Sequence, residues 1–222
     1  MIESSQAKRG LFVTFEGGEG TGKTTQIKAL SQWIEKTLGL KVLVTWEPGG
    51  SPLGEKLRSI LLSPDTGQIS YRAEALLYAA ARAEHVDKVI RPALEAGTLV
   101  LCDRYWDASK AYQGHGRGLG FSAIDHINHW ATEQLFPDRV FVFDIDAKKG
   151  LERARVRNQG AMDRLEQEKI QFHEDIRKAY LFIASQDPAH YRVISSDNSI
   201  ENIEGVLRQE MTELLKTKNA IT

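Results

Sequence analysis

One stretch limits what this chain can fold into more than any other: Gly17-Gly18-Glu19-Gly20-Thr21-Gly22-Lys23-Thr24. Its spacing, G-x-x-x-x-G-K-[ST], belongs to a loop that needs a buried strand before it and a helix after it. The sequence supplies both. Residues 11–15 are apolar, and Ile27, Leu30, Ile34 and Leu38 recur at helical spacing ahead of Gly39, which suits a helix end. The residue types have a physical reason. Small residues let the backbone curl so that several N–H groups converge on a phosphate at the positive end of the helix. Residues Gly17, Gly18, Glu19, Gly20, Thr21, Gly22, Lys23 and Thr24 are therefore assigned to ATP. Lys23 would reach the outer phosphates, and the Thr24 hydroxyl would ligate the Mg²⁺ that travels with ATP. The loop is silent on what receives the phosphate.

The rest of the chain repeats the alternation of short apolar runs and longer amphipathic stretches, which predicts an α/β fold with a parallel sheet. Strands are expected at 11–15, 41–45, 98–102, 139–145 and 191–195. Helices are expected after the loop, from 71 to about 96, and over 122–135, 147–157, 163–186 and 200–215. No repeat or linker divides the sequence, so residues 1–222 read as one domain of about five strands with helices on both faces. Ligands should sit beyond the carboxyl ends of the strands.

Composition narrows the partners. The 29 Lys and Arg nearly cancel the 30 Asp and Glu, a net charge of -1. That balance argues against nucleic acid as a partner. No apolar run approaches the roughly 18 to 20 residues that span a bilayer, so no membrane partner is expected. The first ten residues are polar, unlike a secretory signal, and the single Cys102 suits a reducing compartment. The expected setting is the cytoplasm. The six histidines show no metal-ligand spacing with that cysteine.

Three further segments carry a family likeness: Thr45-Trp46-Glu47-Pro48-Gly49-Gly50, Leu76-Leu77-Tyr78-Ala79-Ala80-Ala81-Arg82, and Asp103-Arg104-Tyr105 leading into Ala111-Tyr112-Gln113-Gly114-His115-Gly116-Arg117-Gly118-Leu119. In this order, with the phosphate loop, they resemble the thymidylate kinase family from about residue 11 to 195. The resemblance implies the P-loop nucleoside-monophosphate-kinase fold, strand order 2-3-1-4-5, a homodimer, and transfer of phosphate from ATP to dTMP in deoxythymidine nucleotide biosynthesis. It also implies roles. Glu19 would hold the acceptor's sugar hydroxyl, Tyr78 would stack on thymine, and Arg82 would bond a thymine carbonyl. Arg58 and Arg104 would lie near the acceptor phosphate. Ser109, Tyr112 and Gln113 would line base and sugar, and Pro48 would follow a peptide that is often cis. Two residues depart from the family pattern. Trp46 stands where Arg is usual, and Ala108 replaces a hydroxyl.

Elementary chemistry agrees with parts of this. Asp103 ends the apolar run Leu99-Val100-Leu101-Cys102, where a carboxylate would face Mg²⁺ across from the loop, and Arg104 offers a fork suited to a phosphate dianion. Members of the family carry a catalytic arginine either in the phosphate loop or in a lid. This loop has none, so the resemblance is to the bacterial type, whose lid supplies it. Arg153 and Arg157, four apart on one helical face, are the candidates, with Arg155 on another face. The lid is expected over about 153–164, broken at Asn158-Gln159-Gly160. Lys23, Asp103, Arg104, Arg153 and Arg157 form the expected catalytic set. Two rivals stay open: a kinase for another pyrimidine or deoxynucleoside, and a switch that hydrolyses ATP with no acceptor.

Overall fold

The computed structural model describes residues 9–218 together with 220 and 221. The reading of the polar N-terminus therefore falls almost wholly outside the described residues.

The chain runs β1 (Phe12–Gly17), α1 (Lys23–Trp33), β2 (Val42–Trp46), α2 (Pro52–Leu62), α3 (Tyr71–His85), α4 (Arg91–Glu95), β3 (Leu99–Asp103), α5 (Trp106–Ser109), α6 (Phe121–Thr132), β4 (Arg139–Asp144), α7 (Ala147–Arg157), α8 (Ile170–Gln186), β5 (Tyr191–Ser195) and α9 (Ile200–Thr217). The five strands form one sheet in the order β2-β3-β1-β4-β5, every pair parallel. Phe12 to Phe15 are buried without a break, because a strand at the middle of a parallel sheet is covered on both faces. Val13 and Phe15 pack against Ile27 and Leu30 of α1 and Leu207 and Met211 of α9. Phe12, Val100 and Cys102 turn the other way, toward Val86, Ile90 and Leu94. On that same face, Val140 and Val142 meet Ile176 and Tyr180 of α8. The expected fold, its strand order and the helices on both faces are all present.

The elements differ from expectation in five places. The long helix from Tyr71 is interrupted by a π-helical turn, Val86–Ile90, before α4. The helix expected over 122–135 is α6 and ends at Thr132, where Glu133 and Gln134 turn left-handed. Around Gly114-His115-Gly116, where no element was predicted, α5 continues into a π-helical stretch, Lys110–Gly116. A Cβ on Gly116 would lie 2.7 Å from the Phe172 ring, so glycine there lets α8 approach. The helix expected from 163 begins only at Ile170. Asp163 Oδ1 accepts the N–H groups of Leu165 and Glu166, both at 2.8 Å, while Glu166 Oε2 accepts the Asp163 N–H at 3.0 Å. This reciprocal cap closes a turn. Arg164 then pulls the segment away, bonding the Leu61 carbonyl at 2.8 Å and pairing with Glu74 at 2.6 Å.

Helix α2 was absent from the sequence reading. Its signal was Ser51-Pro52: the Ser51 hydroxyl accepts the Gly54 N–H at 3.0 Å and Pro52 occupies the first turn. Asp146 caps α7, accepting from the backbone N–H groups of Lys148 and Lys149. Because all strands point one way, Gly17, Trp46, Asp103 and Asp144 end on the same side of the sheet.

Candidate active site

The phosphate loop leaves β1 at Gly17 and enters α1 at Lys23. Gly20 sits at φ 63, and a Cβ on it would lie 1.9 Å from the Gly150 carbonyl oxygen of α7. The loop thus rests on the first turns of α7, a fit only glycine allows. Lys23 is buried across the loop's mouth, donating to the Gly18 carbonyl at 2.9 Å, to Gly17 at 3.2 Å and to the Thr21 hydroxyl at 3.1 Å. Burial, with Arg104 nearby, pushes its amine down to about 8. Thr24 Oγ1 donates to Asp103 Oδ2 at 2.8 Å, so the expected metal pair is brought together at the loop.

Beside the loop lies a concave cleft lined by apolar, aromatic and charged side chains. Every residue assigned to the acceptor lines it: Glu19, Pro48, Arg58, Tyr78, Arg82, Arg104, Ser109, Tyr112 and Gln113. They arrive from the loop, the turn after β2, α2, α3, the end of β3, and α5 with its π-helical continuation. Glu19 joins this cleft to the phosphate loop. Its Oε1 accepts from Arg104 Nη2 at 2.6 Å and from the Tyr112 hydroxyl at 2.9 Å. Burial would raise its carboxyl, but Arg104, Lys23 and Tyr112 outweigh that and hold it at about 2.

The Glu47–Pro48 peptide is cis. Arg58 donates to the Pro48 carbonyl at 2.9 Å. Trp46 Nε1 and the Gly50 N–H both donate to Glu55 Oε1 at 3.0 Å, so Trp46 pins the turn to α2. Ala108 lines the cleft, where a hydroxyl would otherwise project.

Arg82 is 1% exposed and heavily committed. Nε donates to Glu47 at 2.7 Å, Nη1 to Asn128 at 2.6 Å, and Nη2 to both the Tyr105 carbonyl and Ser109 at 3.0 Å. One Nη1 proton is left, since a guanidinium has five N–H groups. Gln113 is likewise held, donating to Glu74 at 2.9 Å. Glu74, Glu47 and Asn128 were not singled out in the sequence. Glu47 lay in the quoted turn without a role. Glu74 and Asn128 are ordinary helix residues by spacing, and only the tertiary structure places them.

The lid arginines lie apart from the cleft. Arg153 donates to the Ser196 carbonyl at 3.1 Å. Arg157 is largely exposed, donating to Asn158 at 3.0 Å and standing 3.6 Å from Glu166. Asp163 and Leu165, from the segment after the lid, do line the cleft.

Comparison with known proteins agrees with this geometry. The family model described as thymidylate kinase matches residues 15–205. A thymidylate kinase of Pelobacter propionicus is 46% identical over 211 residues, covering 93% of this chain and 96% of that one. One from Halothermothrix orenii is 48% identical over 198 residues, covering 88% and 93%. The crystal structure of thymidylate kinase from Ehrlichia chaffeensis superposes with a TM-score of 0.76 at 30% identity, over 91% of this chain and 99% of that one. With a match along nearly its whole length, the chain belongs to the thymidylate kinase family.

Proposed function

We propose that this chain transfers the γ-phosphoryl group of ATP to dTMP, giving dTDP and ADP. One observation carries the reading: the whole expected acceptor set lines a single cleft that opens beside the phosphate loop. The acceptor phosphate is already a nucleophile, so no protein base is required. The protein's part is to position two substrates in line and to neutralise charge.

Lys23 faces the outer phosphates of ATP from the loop. The Thr24 hydroxyl and Asp103 carboxylate, 2.8 Å apart, are oxygen donors of the kind that hold Mg²⁺ beside phosphates. Bound there, Mg²⁺ would offset the negative charge of the triphosphate. Arg104 and Arg58 orient the acceptor phosphate, Glu19 and Tyr112 the sugar, and Tyr78 stacks on the base. The last Nη1 proton of Arg82 meets a thymine carbonyl, with Ser109 and Gln113 completing the wall. Arg153 and Arg157 reach the transferring group when the lid, about residues 153–164, closes.

Residues 1–222 act in this reading as one kinase domain. Among the described residues no helix is long and apolar enough to cross a membrane. With the even charge and one cysteine, that supports work in the cytoplasm on small substrates, with neither nucleic acid nor membrane as partner. A homodimer also fits, because Leu53 and Ile60 of α2 and Leu76 of α3 leave apolar surface uncovered.

The reading is tested by ADP production with dTMP, dUMP, dCMP and dGMP as acceptors. dTMP should give the highest kcat/KM. Equal rates with all four would refute a thymine-reading cleft.

A further inference from the structure

Glu16 has no exposed surface, and the phosphoryl chemistry above does not use it. It lies on β1 just before the phosphate loop, and its two oxygens face different partners. Oε1 accepts the backbone N–H of Tyr105 at 2.8 Å, and Oε2 accepts the Tyr180 hydroxyl at 3.1 Å. Tyr180, buried on α8, does not line the acceptor cleft. Its oxygen in turn accepts from Arg104 Nη1 at 3.2 Å.

These bonds close a circuit around one residue. Arg104 has φ 68, a left-handed backbone that a side chain other than glycine adopts at a cost. The peptide before it is held by the Arg104 N–H on the Phe15 carbonyl at 2.9 Å. The peptide after it is held by the Tyr105 N–H on Glu16. Tyr180 joins the same carboxyl to the tip of the Arg104 side chain, so one anchor fixes both backbone and guanidinium.

Part of the Arg104 guanidinium stays free. Nη1 gives its protons to the Gly17 carbonyl, at 2.9 Å, and to Tyr180. Nη2 gives one to Glu19. Of the five N–H groups, Nε–H and the second on Nη2 have no protein partner among the described residues. The free Nε–H lies on the edge that Nε and Nη2 form, the edge whose shape suits phosphate oxygens.

We propose that Tyr180, backed by Glu16, is a positioning residue that turns the Nε–Nη2 edge of Arg104 toward the acceptor phosphate. It touches neither substrate. The proposal rests on the cleft being a monophosphate site.

Tyr180→Phe tests it, because the ring keeps its packing beside Tyr112, centroids 6.4 Å apart, while the hydroxyl is lost. With each substrate varied in turn, kcat/KM for dTMP should fall about 10-fold or more, the scale of a hydrogen bond to a charged group. The KM for ATP should stay within about twofold, and in an Arg104→Ala background the same change should add less than about twofold. A merely structural tyrosine would shift neither substrate selectively. If the variant unfolds at the assay temperature, calorimetric titrations in the cold read the same selectivity: weaker dTMP, unchanged ATP analogue. Equal effects on both substrates, no effect, or a full effect without Arg104 would overturn the proposal. A wild-type chain that turns over no dTMP overturns the monophosphate reading and the proposal with it. Turnover by the wild type beside an unchanged variant overturns the proposal alone.

Discussion

Arg82 shows how one residue can be legible in kind and illegible in detail. The family likeness marks it as a base-reading guanidinium, yet four of its five N–H groups serve Glu47, Asn128, Tyr105 and Ser109. Arg82→Ala therefore has two expected outcomes. Removing one member of a buried pair should cost about 3 kcal/mol or more in unfolding free energy, because Glu47 keeps its burial and loses its guanidinium. At a temperature where the variant is folded, kcat/KM should fall more for dTMP than for dCMP. Equal losses for both acceptors would exclude base reading by Arg82. The carboxyls of Glu16 and Glu19 make opposite demands on pH. Burial, then Asp107, pushes Glu16 up to about 8 from 4.5. Between those values the unfolded chain has released a proton that the folded chain keeps, so stability falls as pH rises from about 4.5 through 8. Glu19, held at about 2, contributes stability above 4.5 that is lost as pH falls toward 2. Urea unfolding across pH checks both. Glu16→Gln should flatten the alkaline fall and Glu19→Gln the acid one, and unchanged slopes would contradict the assignment.

At the scale of elements, the inner strands β1, β3 and β4 were readable because they are buried on both faces and leave little freedom of composition, and the half-exposed edge strands β2 and β5 because of their β-branched residues. The phosphate loop was readable for a similar reason: backbone curvature and close contact with Gly150 demand its glycines. What the sequence hid depends on distant partners. Residues 163–169 carry helix-forming types, but Arg164 is drawn to Glu74 and the Leu61 carbonyl, and the turn stays a turn. The need for glycine at 116 is likewise invisible until Phe172 is seen against it. In the lid, Arg157 is exposed and its 3.6 Å pairing with Glu166 is of a kind worth about 1 kcal/mol or less, so little opposes its moving onto a substrate. Arg157→Ala should lower kcat by at least about 10²-fold while the KM for dTMP moves little. Arg155→Ala should do much less. Equal effects of the two would contradict the placement of Arg153 and Arg157 on the productive face. No effect of Arg153 or Arg157 would leave the catalytic charge with Lys23 and Arg104.

Across the whole molecule, the parallel sheet gathers the ends of β1, β2 and β3 on one side, and Glu19 joins what they carry. It belongs to the phosphate loop by sequence and to the acceptor cleft by contact, through Arg104 and Tyr112. That junction separates a phosphoryl transferase from a switch that only hydrolyses ATP. The decisive measurement follows the label from [γ-³²P]ATP with and without dTMP. Label should appear in dTDP, mole for mole with ADP, and ADP should scarcely form when dTMP is left out. Label recovered as inorganic phosphate at a rate indifferent to dTMP would contradict transfer between two sites joined at Glu19.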